Sequence, residues 1–190
     1  MNTVSDEELV RKAQAGSDAH FNILVDRHTP TVYRLALGIT GKRQEAEDIV
    51  QETFVKIYVN LQRYSPSKAK FKTWLLTVAR NQSINVFRSL KRRTSRLLVD
   101  YDVDRLSPDI GDNPVAQSYR NPEQMLSLRQ ETARTQSAVK QLPERQRTAL
   151  LLKAQEGMTY EEIASIMKTS VSSVESLIFR ARRKLLEILE

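Results

Sequence analysis

Residues 94–122 constrain the architecture more than any motif does. The stretch reads TSRLLVDYDVDRLSPDIGDNPVAQSYRNP, with three prolines, one glycine, five aspartates and no sustained helical period. Such a composition buries too little apolar surface to offset the entropy of ordering its backbone, and proline cannot continue a helix. The chain of 190 residues is therefore expected to form two small helical units, 1–93 and 123–190, joined by a flexible acidic linker, 94–122. Charge follows the same boundaries: 16 Lys/Arg against 9 Asp/Glu in the first unit, 3 against 5 in the linker and 11 against 9 in the second unit.

The first unit reads as helical throughout. Ser5 and Glu8 have capping-box spacing, Gly16 can close that helix, and a second helix starts near Ser17 or Asp18 and is expected to stop before Pro30. A third then runs to Gly41. QEAEDIVQETFVKIYVNLQRY puts Ile49, Val50, Phe54, Ile57, Tyr58 and Leu61 on one face, with Glu45, Asp48, Gln51 and Glu52 on or beside the other. After a loop, SPSKAK, the long helix FKTWLLTVARNQSINVFRSLKRR offers Trp74, Leu75, Val78, Ile84 and Phe87 to a core. No strand-type alternation competes, so the fold class is all-α.

The second unit carries four helices. One runs from about Pro122 to Gln141, and the next has Pro143 in its first turn, where a missing N–H costs nothing. Thr159 and Glu162 form a capping box for the third, whose Ile163, Ala164, Ile166 and Met167 must face inward. Lys168-Thr169-Ser170 is a tight turn, Ser170 is the N-cap of the fourth, and Ala164 is small enough for a close crossing. This is a helix-turn-helix, whose second helix presents its N-terminal side chains to a DNA major groove.

Composition narrows the chemistry. The net charge of +7 and a pI of about 9.7 favour a polyanionic partner, although that balance alone also suits an acidic protein or a membrane surface. Cysteine is absent and only His20 and His28 supply imidazole, so disulfides, thiolate chemistry and the usual zinc spacings are excluded, and a reducing, cytoplasmic setting is expected. No apolar run reaches the roughly 20 residues of a membrane span, and MNTVSDEELVRKA is acidic and amphipathic rather than a signal peptide. No catalytic triad, metal cluster or cofactor motif stands out, so the chain does not read as an enzyme.

Four segments in order, EAEDIVQETFVKIY at 45–58, FKTWLLTVARN at 71–81, LPERQR at 142–147 and MTYEEIASIM…SVSSVESLIFRARRKL at 158–185, closely resemble the extracytoplasmic-function (ECF) sigma factors of bacterial RNA polymerase, within the sigma-70 superfamily. The resemblance implies a sigma factor whose first domain (region 2) docks on core RNA polymerase and opens the minus-ten promoter element. Its second domain (region 4) reads the minus-thirty-five element. It implies a core-binding face of Asp48, Gln51 and Glu52, whose i, i+3, i+4 spacing shares one side of a helix. It implies that a loop before the TWL helix receives a flipped minus-ten base, with Tyr64 and Phe71 flanking it, Asn81 on a base edge, and Lys70, Lys72, Arg80 and Arg88 on phosphates. Ser172, Ser173, Glu175, Ser176, Phe179 and Arg180 would meet the minus-thirty-five groove, with Arg182 and Arg183 on its phosphates. The aspartates of the linker, Asp100, Asp102, Asp104, Asp109 and Asp112, would imitate nucleic-acid phosphates inside the polymerase. Promoter DNA, core polymerase and an anti-sigma protein, often membrane-anchored in the family, are the implied partners, with no cofactor and no metal.

Thr77 and Val78 stand where housekeeping sigma factors carry the tryptophan pair that wedges the duplex, which implies a specialised regulon. Glu175 departs from the basic residue many relatives have there. It either accepts from a cytosine N4 amino group or completes a cap with Ser172. A stand-alone helix-turn-helix repressor or activator explains the second unit and the charge, but not AEDIVQETF, the FKTWLL unit or the acidic linker.

Overall fold

The computed structural model describes residues 4–97 and 132–190, and every regular element among them is helical. Helix α1, Asp6–Gln14, begins where the Ser5 hydroxyl accepts from the Glu8 N–H at 3.2 Å. It buries Leu9, Val10 and Ala13. Helix α2, Asp18–Thr40, runs unbroken through Pro30, where two helices were expected. Pro30 is exposed, and buried side chains before and after it (Phe21, Leu24, His28, Val32, Leu35, Ile39) bind both halves of the helix to one core, which outweighs a lost backbone hydrogen bond. Gly41 ends α2 in the left-handed conformation (φ 71°), its N–H donating to the Leu37 carbonyl at 2.8 Å.

Helix α3, Arg43–Asn60, passes through a 3-10 turn, Leu61–Arg63, into the loop before α4, Phe71–Leu97. In α3 the predicted face is mostly right: Ile49, Phe54, Ile57 and Leu61 are buried, whereas Tyr58 lies exposed against Phe21 and donates to Asp18 at 2.9 Å. In α4, Leu75 and Ile84 are fully buried, and Trp74, Val78 and Phe87 pack half-buried beside them. Helix α4 continues to Leu97, four residues into the stretch expected to be linker. The five linker aspartates lie outside the described residues.

Helix α5 is described over 132–140 and precedes α6, Glu144–Ala154. Helix α7, Tyr160–Met167, carries the complete capping box: the Thr159 N–H donates to Glu162 at 3.0 Å and the Glu162 N–H to the Thr159 hydroxyl at 3.2 Å. Ile163, Ala164, Ile166 and Met167 are all buried. Lys168 closes α7 at φ 50°, a left-handed conformation that glycine more often supplies. Ser170 then caps α8, Val171–Leu189, accepting from the Ser173 N–H at 3.2 Å.

The two halves pack on one another, α2 against α6 and α4 against α7. Most of their buried apolar residues belong to one cluster that spans both halves. The contact is close because Gly38 of α2 has no side chain: a Cβ there would stand 2.7 Å from a methyl of Leu151 on α6.

Candidate nucleic-acid interface

Three surfaces hold the residues singled out from sequence. The first is a face of α3 where Asp48, Gln51 and Glu52 are all exposed. Glu52 does not float: Gln82, buried on α4, donates to its carboxylate at 2.6 Å. Gln44, one turn earlier, reaches Asp48 at 3.4 Å. The face continues toward the end of α3 as Val55 and Val59, both exposed, so carboxylates give way to an apolar stripe at helical spacing.

The second surface is α4 with the loop before it. The expected roles of two aromatics do not survive burial. Phe71 is 0% exposed and lies in the core beside His28, Tyr64 and Trp74, so it meets no DNA in this conformation. Tyr64 stacks on Trp74 (centroids 5.1 Å apart, planes 25°) and donates its hydroxyl to the Ala69 carbonyl at 3.0 Å. Burial, with Glu7 and Asp6 nearby, pushes its phenol up to about 12. Its ring therefore shapes the loop instead of presenting a free stacking face. Asn81 is exposed and accepts from Arg80 at 3.1 Å. The Arg80 guanidinium is half-buried and its pKa is lowered, chiefly by desolvation, with Arg145 and Arg88 adding to the effect and Glu144 opposing it.

The other three cations singled out on this surface are paired. Lys70 donates to Glu162 at 3.0 Å, Lys72 lies 3.2 Å from the Glu156 carboxylate, and Arg88 lies 3.2 Å from Glu144. All three acids belong to the second half. Glu156 is held twice, since Arg34 of α2 also pairs with it at 2.9 Å, and its side chain is only 3% exposed. Beside them Arg147 of α6 is buried, donating to the Ile39 carbonyl at 3.0 Å with its guanidinium carbon 4.7 Å from the Phe87 ring centre. Sequence reading missed Gln82, Glu144, Arg147, Glu156 and Glu162 as participants. The acids lie tens of residues from the cations they meet, and no local pattern links them.

The third surface is the outward side of α8. Val174, Ile178 and Ala181 face the core, which turns Ser172, Glu175, Ser176, Phe179, Arg180, Arg182 and Arg183 to the outside, with Ser173 half-buried. Glu175, Ser176, Phe179 and Arg180 line a shallow open depression, and Phe179 is 66% exposed. Because Ser170 is the N-cap and accepts from Ser173, the capping task proposed for Glu175 with Ser172 is already filled. Farther along, Arg183 and Lys184 both pair with Glu187.

Comparison with known proteins assigns both halves. The family profile for Sigma-70 region 2 matches residues 24–93, and that for Sigma-70, region 4, matches residues 132–185. The chain is 34% identical over 179 residues to the RNA polymerase sigma-H factor of Pseudomonas aeruginosa, covering 93% of this chain and 90% of that protein. It is 35% identical over 183 residues to the ECF RNA polymerase sigma-E factor of Escherichia coli, covering 94% and 91%. The chain belongs to the ECF sigma factors. Among solved structures, this sigma factor is similar to CnrH in complex with the cytosolic domain of CnrY (TM-score 0.69, 26% identity, 95% of this chain and 94% of that one). It is also similar to the sigma factor RpoE in complex with the anti-sigma factor NepR from Bartonella quintana (TM-score 0.63, 28% identity, 88% and 92%). In region 2 of the sigma factor, α1 and the first turns of α2 precede the profile match yet pack into the same core. The region 4 match covers α7 and all but the last turn of α8. The stand-alone repressor or activator reading fails because both regions are matched. Among the described residues no helix is long and apolar enough to cross a membrane.

Proposed function

We propose that this ECF sigma factor joins core RNA polymerase through the α3 face of Asp48, Gln51 and Glu52, holds the opened minus-ten strand on α4, and reads the minus-thirty-five element with α8. Initiation factors of this kind position polymerase and nucleic acid without making or breaking bonds themselves. The observation that carries the reading is the α3 face: two carboxylates and an amide exposed on one helix side, with Glu52 fixed by Gln82 and so preorganised for a basic helix. On α4, Asn81 is the base-edge contact, and Lys70, Lys72, Arg80 and Arg88 are the phosphate contacts. Tyr64 acts indirectly, by shaping the loop. On α8, Ser172, Ser173, Glu175, Ser176, Phe179 and Arg180 face bases, with Arg182 and Arg183 on the backbone. The complex of RpoE with NepR supports a further partner, an anti-sigma protein that withholds the factor from polymerase.

Asp48→Lys tests docking cleanly, because an exposed carboxylate contributes little to stability and much to a complementary interface. Core binding should weaken by roughly tenfold or more, as expected for a close interfacial charge pair, with helical content unchanged. Glu52→Lys also strands the Gln82 amide, so its binding loss is read beside its melting curve. Undiminished affinity of Asp48→Lys for core enzyme refutes the assignment.

A further inference from the structure

We propose that Gln14, the last residue of α1, is a positioning residue for promoter opening: it fixes the start of the loop over 65–70 and so the place where the minus-ten base is received. The inference rests on the reading of that loop and α4 as the strand-holding surface. Helix α1 lies ahead of the segment matched to Sigma-70 region 2, residues 24–93, so the match gives it no part in promoter opening.

The Gln14 side-chain nitrogen donates to two backbone carbonyls, that of Leu61 at 2.8 Å and that of Tyr64 at 3.1 Å. A primary amide suits this task, because its one nitrogen carries two hydrogens. Gln62 returns the contact, donating from its side chain to the Gln14 carbonyl at 2.8 Å. That carbonyl lies in the last turn of α1, where the helix itself supplies no donor. Three hydrogen bonds spanning 47 to 50 residues therefore join the end of α1 to the 3-10 turn Leu61–Arg63 and to Tyr64 after it.

The effect crosses the loop through Tyr64. With its carbonyl held by Gln14, Tyr64 stacks its ring on Trp74 and donates its hydroxyl to the Ala69 carbonyl at 3.0 Å. One residue thus ties the start of the loop to its far end. Between them the Lys68 N–H donates to the Ser65 carbonyl at 3.1 Å, and the hydroxyls of Ser65 and Ser67 meet at 2.8 Å. Helix α1 supports the far margin as well. Asp6 meets the His28 ring at 2.7 Å, and His28 lies against Phe71, the first residue of α4, with ring centres 5.5 Å apart. The first turn of α1 carries Asp6, Glu7 and Glu8, which repel phosphates, so α1 serves the strand through the loop and not by holding DNA itself. A loop fixed before the strand arrives lowers the ordering cost of binding, and a pocket discriminates bases only as sharply as its walls are held.

The test uses holoenzyme assembled from core polymerase and the full chain, on a promoter library randomised across the minus-ten element, with the run-off products sequenced. Gln14→Met keeps the side-chain length and removes both donors. It should relax base preference at one opened position by about fivefold or more, as expected when one or two net hydrogen bonds cease to order the loop, and leave the other positions as they were. Ile49→Val removes one methylene from a cluster of α2, α3 and α4 side chains that holds no loop residue. It should rescale output from all sequences alike, with the preference profile of the parent. An unchanged profile in Gln14→Met, or the same relaxation in Ile49→Val, overturns the proposal. Hydrogen exchange of the free protein, read by mass spectrometry on peptides covering 64–71, should be about fivefold faster or more in Gln14→Met, and unchanged exchange overturns the clamp. Asn81→Ala, assayed beside these variants, separates the inference from the reading beneath it. If Asn81→Ala loses open-complex formation while Gln14→Met keeps the parent's profile, the strand-holding surface stands and the positioning role falls. If exchange quickens in Gln14→Met yet both variants open and select promoters as the parent does, the reading of α4 falls and the proposal with it.

Discussion

Replacing Arg147 by methionine should loosen the union of the two regions by a calculable amount. In the native protein its guanidinium donates to the Ile39 carbonyl at 3.0 Å, in the last turn of α2, where carbonyls have no helical donor and the helix dipole favours a cation. It also stands 4.7 Å from the Phe87 ring centre. Burial opposes these gains, lowering the guanidinium pKa and leaving Nε without a partner. Methionine retains most of the packing volume and removes the desolvation cost, but it orphans a buried carbonyl, worth about 1–3 kcal/mol, and loses the cation–π contact, worth about 0.5–2 kcal/mol. The relief of desolvation cancels part of the sum, so a net loss of about 1–3 kcal/mol is expected. At about 2–4 °C per kcal/mol for a chain of this size, Tm should fall by roughly 2–12 °C. Arg147→Lys, which keeps charge without the flat guanidinium, should fall less. Differential scanning calorimetry in low salt and at about 0.5 M salt reads the effect, and the loss should persist because the group is buried. A methionine variant melting within about 1 °C of the parent, where a 1 kcal/mol loss would already show as more, refutes the role given to Arg147.

On α8, Glu175→Ala should relax preference at one C·G pair of the minus-thirty-five element by about 1–3 kcal/mol and leave Tm unchanged, since Ser170 already caps the helix. An unchanged base-preference profile across all four pairs at each position counts against base reading. Ser170→Ala should do the converse, lowering stability by about 1 kcal/mol without altering preference. At the N-terminus, burial raises the pKa of Asp6, but contacts with His28 (2.7 Å) and Arg27 (2.6 Å) outweigh it and hold the carboxyl below its ordinary value of 3.8. A depressed carboxyl stabilises the fold above its unfolded pKa and ceases to as pH falls through the folded value. The Tm gap between parent and Asp6→Asn should therefore be full above about pH 5 and close progressively below pH 4; a gap constant down to pH 3 disproves the linkage.

Local signals carried the helices and their caps into the sequence. Ser5, Thr159 with Glu162, and Ser170 each act within three residues of the N–H they satisfy, so spacing alone reveals them. The helix-turn-helix and its outward side were legible for the same reason: Val174, Ile178 and Ala181 repeat at helical spacing and leave Glu175, Phe179 and Arg180 on the other side. The α3 carboxylates were visible too, because one helical face is a local property. What tertiary structure alone decided lies where distant segments meet. Pro30 reads as a stop, yet α2 continues, because core contacts on both sides outweigh one backbone hydrogen bond. Phe71 and Tyr64 flank a loop and so suggested base contacts, but whether an aromatic ring faces solvent depends on what packs over it, here His28 of α2 and Trp74. The pairing of Lys70 with Glu162 spans 92 residues and that of Arg34 with Glu156 spans 122. Periodicity has no reach over such separations. The charges on each side are written in the chain, but their meeting depends on Leu151 fitting over the bare backbone of Gly38, and only packing brings those two residues together.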